Sequence, residues 1–187
     1  MREATAGLMT VEQYSALPET ESFYQELHHG ELVQVSWPKM GEILIRVRIR
    51  EQLDAALDGH GIVITGLSFR ALPEYELRVA DIGYIMPGRW EQTKDEDYFF
   101  GAPDLIIEVL SPSTTAIEIN ENIAVCLANG CREFWVVDRR LRQIAVSTPD
   151  GLTRTYRYGD SIPLTLAENQ ALKVDSAFVD EARDGIV

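Results

Sequence analysis

Two acidic side chains stand inside apolar runs that are typical of buried strands: Glu108 in PDLIIEVLSPS and Asp81 in LRVADIGYI. Taking a carboxylate out of water is costly unless a partner compensates its charge. If the two strands are neighbours, the carboxylates converge and can bind a hard divalent cation, which offsets the repulsion between them. The alternative is that each acid forms an ion pair, for which Arg70 and Arg78 are available.

The strand that carries Glu108 is predicted to be buried on both faces. Side chains alternate between the two faces of a strand, so Glu108 shares one face with Ile106 and Leu110, while the opposite face is wholly aliphatic. Glu108 therefore lies among buried aliphatic side chains and requires a partner.

The elements that position these acids follow from periodicity and turn residues. Helices are predicted over residues 10–17, 40–57 and 116–128, and strands over residues 62–72, 77–86, 104–110 and 133–138. A hairpin is predicted over residues 24–37 with its turn at His28-His29-Gly30, and the strands RQIAVS and LTRTYRY are joined by the turn Pro149-Asp150-Gly151. The segment WEQTKDEDYFFGA is predicted to be a polar loop.

This order of helix, three strands, helix and strand predicts an α/β fold. We expect a mixed central sheet with helices packed against it and extra β-hairpins at both ends. A single domain is expected over residues 1–187, with a core at about residues 24–147 and a β-rich C-terminal extension at residues 142–180.

Composition and charge argue against several classes of protein. The chain has 30 acidic and 17 basic residues and a net charge of −13, which argues against holding nucleic acid by bulk charge. No apolar run is long enough to span a membrane, and the N-terminus lacks the layout of a secretory signal. Cys126 and Cys131 are expected to be reduced thiols in a cytoplasmic protein.

The segment GAPDLIIEVLSPST, followed by a helix and then GCREFWVVD, resembles the Uma-two family of restriction endonuclease-like proteins in the PD-(D/E)XK nuclease superfamily. Three further segments, YQELHHGELV, MGEI and LRVADIGYI, match in the same order, so the resemblance covers residues 10–180. The resemblance implies an αβββαβ nuclease core, which agrees with the order of elements read from periodicity.

The resemblance also implies roles for individual residues. Asp81 and Glu108 match the two strand acids that would bind Mg²⁺ or Mn²⁺, and Glu31 matches a further acid near the site. In such enzymes the metal ion activates water for attack on a phosphodiester, and a lysine offsets the charge that builds on the phosphate.

This sequence departs from the family pattern at two functional positions. Asn122 stands where the family places its lysine, and Met40 stands where it places a histidine. Asparagine can donate a hydrogen bond but brings no positive charge, and methionine neither titrates nor suits a hard cation as a ligand. Lys39, just before the long helix, is the remaining lysine that could take over the missing role.

Three hypotheses follow. The first is a metal-dependent endonuclease, acting on nucleic acid and expected to prefer DNA, in which Asn122 replaces the lysine weakly. A homodimer is an expectation of this hypothesis, because a duplex has two strands to cut. The second is a lapsed nuclease fold that serves as a non-catalytic module binding nucleic acid or protein. The third is a structural role in which the strand acids only form salt bridges.

Overall fold

The computed structural model describes residues 7–18, 24–72, 74–166 and 170–173. Its helices are α1 (Val11–Ser15), α2 (Met40–Leu57), α3 (Pro87–Thr93) and α4 (Ala116–Ala128). Its strands are β1 (Tyr24–His28), β2 (Glu31–Val35), β3 (Ile62–Arg70), β4 (Arg78–Ile85), β5 (Phe99–Phe100), β6 (Leu105–Val109), β7 (Glu133–Asp138), β8 (Gln143–Ser147), β9 (Thr153–Arg157), β10 (Ser161–Leu164) and β11 (Gln170–Lys173).

The main sheet has seven strands in the order β5-β3-β4-β6-β7-β8-β9. The pairs β3–β5 and β6–β7 are parallel and the other pairs are antiparallel, so the sheet is mixed. The predicted order of helix, three strands, helix and strand is present as α2, β3, β4, β6, α4 and β7. The predicted mixed α/β architecture with flanking helices is therefore confirmed.

The pairing of β4 with β6 decides where the two strand acids lie. Ile82 pairs with Ile107, and Gly83 pairs with Ile106 in the same antiparallel register. The next positions along this register are Asp81 and Glu108. The two strands are thus neighbours, as the convergence of the acids requires.

Helix α2 covers one face of the sheet. Its buried residues Ile45, Ile49, Leu53 and Leu57 recur every four positions, which places them on one stripe of the helix. This stripe packs against aliphatic and aromatic side chains of the central strands, including the fully buried Trp135. The helix ends where Asp58 adopts a left-handed conformation with φ 46°.

Helix α4 covers the opposite face. Cys126 is its fully buried residue, and it packs with Ile106 and Phe134 of the sheet. Thr115 caps the helix, because its side chain accepts a hydrogen bond from the backbone of Glu118. The two faces of β6 therefore divide as predicted, with Ile106 on the α4 side and its neighbour Ile107 on the α2 side.

One part of the sequence prediction differs from the structure. The segment predicted as a polar loop contains the end of α3 and the short strand β5, because Pro87 starts a helical turn and Arg89 ties it to the carbonyl oxygen of Ala102 at 2.9 Å. A second hairpin, β10–β11, follows β9. Residues 174–180 of the predicted C-terminal extension lie outside the described residues.

A buried carboxylate joins this C-terminal hairpin to the sheet. Glu133 is 1% exposed, and it accepts hydrogen bonds from Nε1 of Trp135 at 2.8 Å and from the backbone N–H of Thr165 at 3.1 Å. The hydroxyl of Thr165 donates to the same carboxylate. These contacts satisfy a buried charge with neutral donors and fix residue 165 against β7.

None of the helices in the described part of the chain is both long and apolar enough to cross a membrane.

Candidate functional site

A cavity of about 420 Å³ opens at the end of the sheet where β6 stops and α4 begins. Its walls come from the β1–β2 hairpin, the segment that leads into α2, the strands β4 and β6, and the loop before α4. The acidic residues that line it are Glu26, Glu42, Asp81, Glu108 and Glu118. Both strand acids singled out in the sequence therefore face one cavity.

Asp81 is buried and both of its carboxylate oxygens are bonded. Nη2 of Arg46, from α2, lies 2.5 Å from Oδ1, and the backbone N–H of Val109 donates to Oδ2 at 2.8 Å. Burial raises the pKa of Asp81 to about 6, although the Arg46 guanidinium and the Val109 N–H favour the charged form. The Arg46 guanidinium and the Val109 N–H thus offset only part of the free-energy cost of burying the charged carboxylate of Asp81.

The backbone beside Asp81 departs from a regular strand. Thr65 pairs with Ile82 and Leu67 pairs with Ala80, and between these pairs Gly66 adopts φ +68°, a left-handed conformation. Ala80 packs on the α4 side of the sheet and Ile82 on the α2 side, although residues two apart normally share a face. The local irregularity lies at the position of the candidate acid Asp81, and such irregularities are common next to active sites.

Glu108 is half-buried, since its side chain borders the cavity. Burial raises the pKa of Glu108 well above its ordinary range, and the nearby carboxylates of Asp81 and Glu26 raise it further. The Arg46 guanidinium and a backbone hydrogen bond from Asp81 act in the opposite direction. Glu108 and Asp81 therefore form a pair of like charges that resist simultaneous ionisation in the absence of a cation.

Glu26 is an acid of the cavity that the sequence reasoning missed. It is 8% exposed on β1, and Oε2 of its carboxylate lies 2.7 Å from Nε2 of His28. The adjacent Leu27 exchanges backbone hydrogen bonds with Leu77, which holds the hairpin against β4. The signal that identified Asp81 and Glu108 was weak here, since Glu26 stands in YQELHH and not inside a long apolar run.

Glu42 is a second buried acid of the cavity, in the first turn of α2. It is 4% exposed, its Oε2 accepts a hydrogen bond from the backbone N–H of Lys39 at 3.0 Å, and its charge contributes to the raised pKa of Asp81. Its capping contact orients the start of α2 and hence the cavity wall.

Glu31, expected near the site, is not among the residues that line the cavity, although its strand partner His28 is. It begins β2 immediately after the left-handed turn of His29 and Gly30, its side chain is exposed, and it does not line the cavity. Glu31 pairs with His28 and Glu26 pairs with Val33, so the two acids share one face of the hairpin, but only Glu26 lines the cavity.

The structure also shows where the two residues that depart from the family pattern lie. Asn122 is half-buried on α4, where its Oδ1 accepts a hydrogen bond from Sγ of Cys126 at 3.3 Å, and it does not line the cavity. Met40 is 77% exposed at the start of α2. Lys39, in contrast, does line the cavity and has an exposed side chain.

The arginines proposed as partners of the strand acids are engaged elsewhere, which corrects that expectation. Nη2 of Arg70 lies 2.9 Å from Glu12, and Nε of the buried Arg78 lies 2.7 Å from Glu76. The ion pair of Asp81 is made instead by Arg46, whose position on α2 brings it across from β4. Sequence proximity was a poor guide here, because the contact joins elements far apart in the chain.

The donor chemistry of the cavity suits a hard divalent cation held by few protein ligands. Asp81 and Glu108 offer carboxylate oxygens on adjacent strands. No group of three His, Cys, Asp or Glu side chains close enough to hold a metal ion occurs among the described residues. Mg²⁺ commonly binds through one or two carboxylates, with water and substrate phosphate completing its shell, so the pair fits that mode rather than a cage formed wholly by protein.

Comparison with known proteins identifies a family and a related fold. Residues 11–175 match the profile of the Uma2 family, described as "Putative restriction endonuclease". The crystal structure of "a putative nuclease belonging to DUF820" from Anabaena variabilis ATCC 29413 is similar with a TM-score of 0.77 and 22% identity, over 91% of this chain and 97% of that chain. This likeness establishes a shared fold. No curated protein matches the chain significantly.

Proposed function

This chain belongs to the Uma2 family, and from that membership and the geometry of its cavity we propose that it is a metal-dependent enzyme that hydrolyses phosphodiester bonds of nucleic acid. The observation that carries the proposal is the adjacency of Asp81 and Glu108 on neighbouring strands that line one cavity. DNA is the proposed substrate, and Mg²⁺ or Mn²⁺ is the proposed cofactor, since restriction endonuclease-like proteins usually use a divalent metal ion.

Asp81 and Glu108 would hold the cation between β4 and β6. When bound, it would supply the Lewis acidity that activates water for attack on phosphorus and offsets charge on the phosphate. Glu26 and Glu42 surround this pair with further negative charge, which favours a divalent cation over an empty site. The protein's own contribution is to hold these acids in a fixed, partly desolvated arrangement before substrate arrives.

The net charge of −13 favours a substrate-binding surface to which the bound cation contributes positive charge. A phosphodiester approaching the five acidic side chains of the cavity is repelled by them, and a bound cation weakens this repulsion. Substrate binding is therefore expected to depend on the metal ion.

Calorimetric titration of Mg²⁺ and Mn²⁺ tests the proposal directly. Wild type is expected to bind the cation, and Asp81→Asn and Glu108→Gln are expected to abolish binding, because each removes one of the two charged ligands. Glu31→Gln is the matched control, since it removes an acid that is exposed and outside the cavity. Equal binding by wild type and the two site variants would overturn the metal site.

Cleavage is then tested with supercoiled plasmid DNA and with a structured RNA. Metal-dependent cutting of either substrate that is lost in Asp81→Asn and Glu108→Gln supports the enzyme proposal and identifies the nucleic acid. Metal binding without cutting of either substrate contradicts it and favours the second candidate.

The second candidate is a non-catalytic module that keeps the fold and binds metal ion or nucleic acid. The position of Asn122 favours it, because this residue is turned to Cys126 and offers no positive charge to a substrate. Asn122→Lys distinguishes the candidates. Cutting gained by this variant, in a protein that otherwise only binds metal, would indicate a lapsed enzyme, whereas cutting by wild type excludes this candidate.

A further inference from the structure

The positive charges of the cavity are few, and they differ in what they contact. Two basic residues, Arg46 and Lys39, line the cavity in the part of the chain that the structure describes. Lys39 is exposed at the rim, whereas Arg46 reaches the carboxylate of Asp81. Arg46 is therefore the basic residue of the cavity that lies closest to the predicted metal ligands.

The hydrogen-bonding capacity of Arg46 is only partly used. A guanidinium carries five N–H donors in a planar fork. Nη2 lies 2.5 Å from Oδ1 of Asp81, but Nε is buried and has no hydrogen-bond partner. A buried donor without a partner is unfavourable, so this position of the side chain does not satisfy all of its polar atoms.

The contact with Arg46 also conflicts with metal binding at Asp81. Oδ2 of Asp81 accepts from the N–H of Val109, and Oδ1 is taken by Arg46, so both oxygens are occupied in this state. A guanidinium and a divalent cation at the same carboxylate oxygen repel each other. A cation that binds Oδ1 must therefore displace the guanidinium.

We propose that Arg46 has two positions: it neutralises Asp81 in the metal-free protein, and it turns to a phosphodiester oxygen of the substrate once a divalent cation occupies Asp81. The proposal rests on the proposed function and adds a substrate-contacting residue to it. The side chain is 18% exposed, so its tip borders the cavity that the substrate would enter. A bidentate guanidinium matches the geometry of phosphate oxygens and supplies the positive charge that Asn122 lacks.

The first test is the affinity for Mn²⁺ of the whole protein at slightly alkaline pH, measured by calorimetry. Arg46→Met removes the competing cation, so Mn²⁺ is expected to bind about tenfold more tightly than in wild type. Arg50→Met is the matched control, because Arg50 lies one turn further along α2 and is paired with Asp54 on the surface. Its Mn²⁺ affinity is expected to equal that of wild type.

Unchanged or weaker Mn²⁺ binding by Arg46→Met, in an assay where Asp81→Asn abolishes binding, overturns the competition while leaving the proposed metal site intact. If Asp81→Asn binds as wild type does, the proposed function fails instead, so the two failures are distinguishable. Arg46→Gln is measured in parallel, because it keeps a polar side chain and preserves the test if Arg46→Met does not fold.

The second test uses dimethyl phosphate, a small inert phosphodiester, and the ³¹P relaxation that protein-bound Mn²⁺ causes in it. Wild type is expected to relax the phosphorus nucleus strongly, Arg46→Lys partially, and Arg46→Met and Arg46→Gln little, although they hold Mn²⁺ more tightly. A merely structural Arg46 would leave this relaxation unchanged at equal Mn²⁺ occupancy, and that result would overturn the second position.

Discussion

The backbone N–H of Val109 donates to Oδ2 of Asp81 at 2.8 Å, so a side chain of β4 completes the hydrogen bonding of β6 at the end of the strand. Asp81 is thereby a structural link between the two strands as well as a candidate metal ligand. This double role means that substitutions at Asp81 must be chosen to separate folding from metal binding.

Asp81→Ala is expected to lower the free energy of unfolding by about 2–4 kcal/mol, because it leaves the Arg46 guanidinium and the Val109 N–H without their partner. Asp81→Asn keeps a carbonyl acceptor for Val109 and should lose clearly less. Urea denaturation of the metal-free protein measures both. Equal losses in the two variants would show that the hydrogen bond to Val109 contributes little.

Glu108→Gln is expected to stabilise the metal-free protein at neutral pH by about 1–2 kcal/mol, since it removes a carboxylate that burial and the Asp81 charge disfavour. Thermal unfolding in the presence of a chelator measures the change. In saturating Mn²⁺ the order should reverse, because only wild type gains stability from binding the cation. A lower melting temperature of the variant under chelation would mean that an unidentified partner compensates Glu108.

Glu26→Gln is expected to weaken Mn²⁺ binding about tenfold, because the Glu26 charge acts on both Asp81 and Glu108. Glu31→Gln on the neighbouring strand should have little effect, since that side chain is exposed and outside the cavity. Parallel calorimetric titrations compare the two. A larger effect at Glu31 would favour the family assignment made from sequence over the position seen in the structure.

The two thiols are expected to be unreactive in the folded protein. Burial raises the pKa of Cys126 well above its ordinary range and that of Cys131 to about 12. The folded state therefore holds these protons more tightly than the unfolded state, so the thiols reduce stability as the pH rises above the ordinary value of 9. Titration with a disulfide reagent below that pH should detect the thiols only after denaturation, and rapid reaction of the native protein would contradict their burial.

The sequence predicted the central elements well because their signals are local. Apolar periodicity predicted the bounds of α2 but not its buried face, since Ile43, Leu44 and Val47 are exposed. The apolar run of β7 specifies a strand buried on both faces. Helix α4 was also predicted from a local signal, the hydroxyl side chains that precede it and cap its first turn. The mixed α/β architecture followed from their order.

The parts that could not be predicted depend on contacts between distant elements. Arg46 pairs with Asp81 across 35 positions of sequence, and no local pattern marks that partner in preference to Arg78. Helix α3 lies in a polar segment whose structure depends on Arg89 bonding to Ala102 and to Asp104. The choice between Glu26 and Glu31, which share one face of the hairpin, likewise required knowing which part of that face lines the cavity.

The bond between Glu133 and Thr165 has a consequence for protein synthesis. A ribosome delivers Glu133 more than thirty residues before Thr165, so the emerging chain carries the glutamate of β7 before its amide and hydroxyl donors exist. Burying that carboxylate early is unfavourable, and the full sheet is therefore expected to close late in translation. Chains that end before Thr165 are consequently expected to be less stable than the full chain, because Glu133 lacks two of its hydrogen-bond donors.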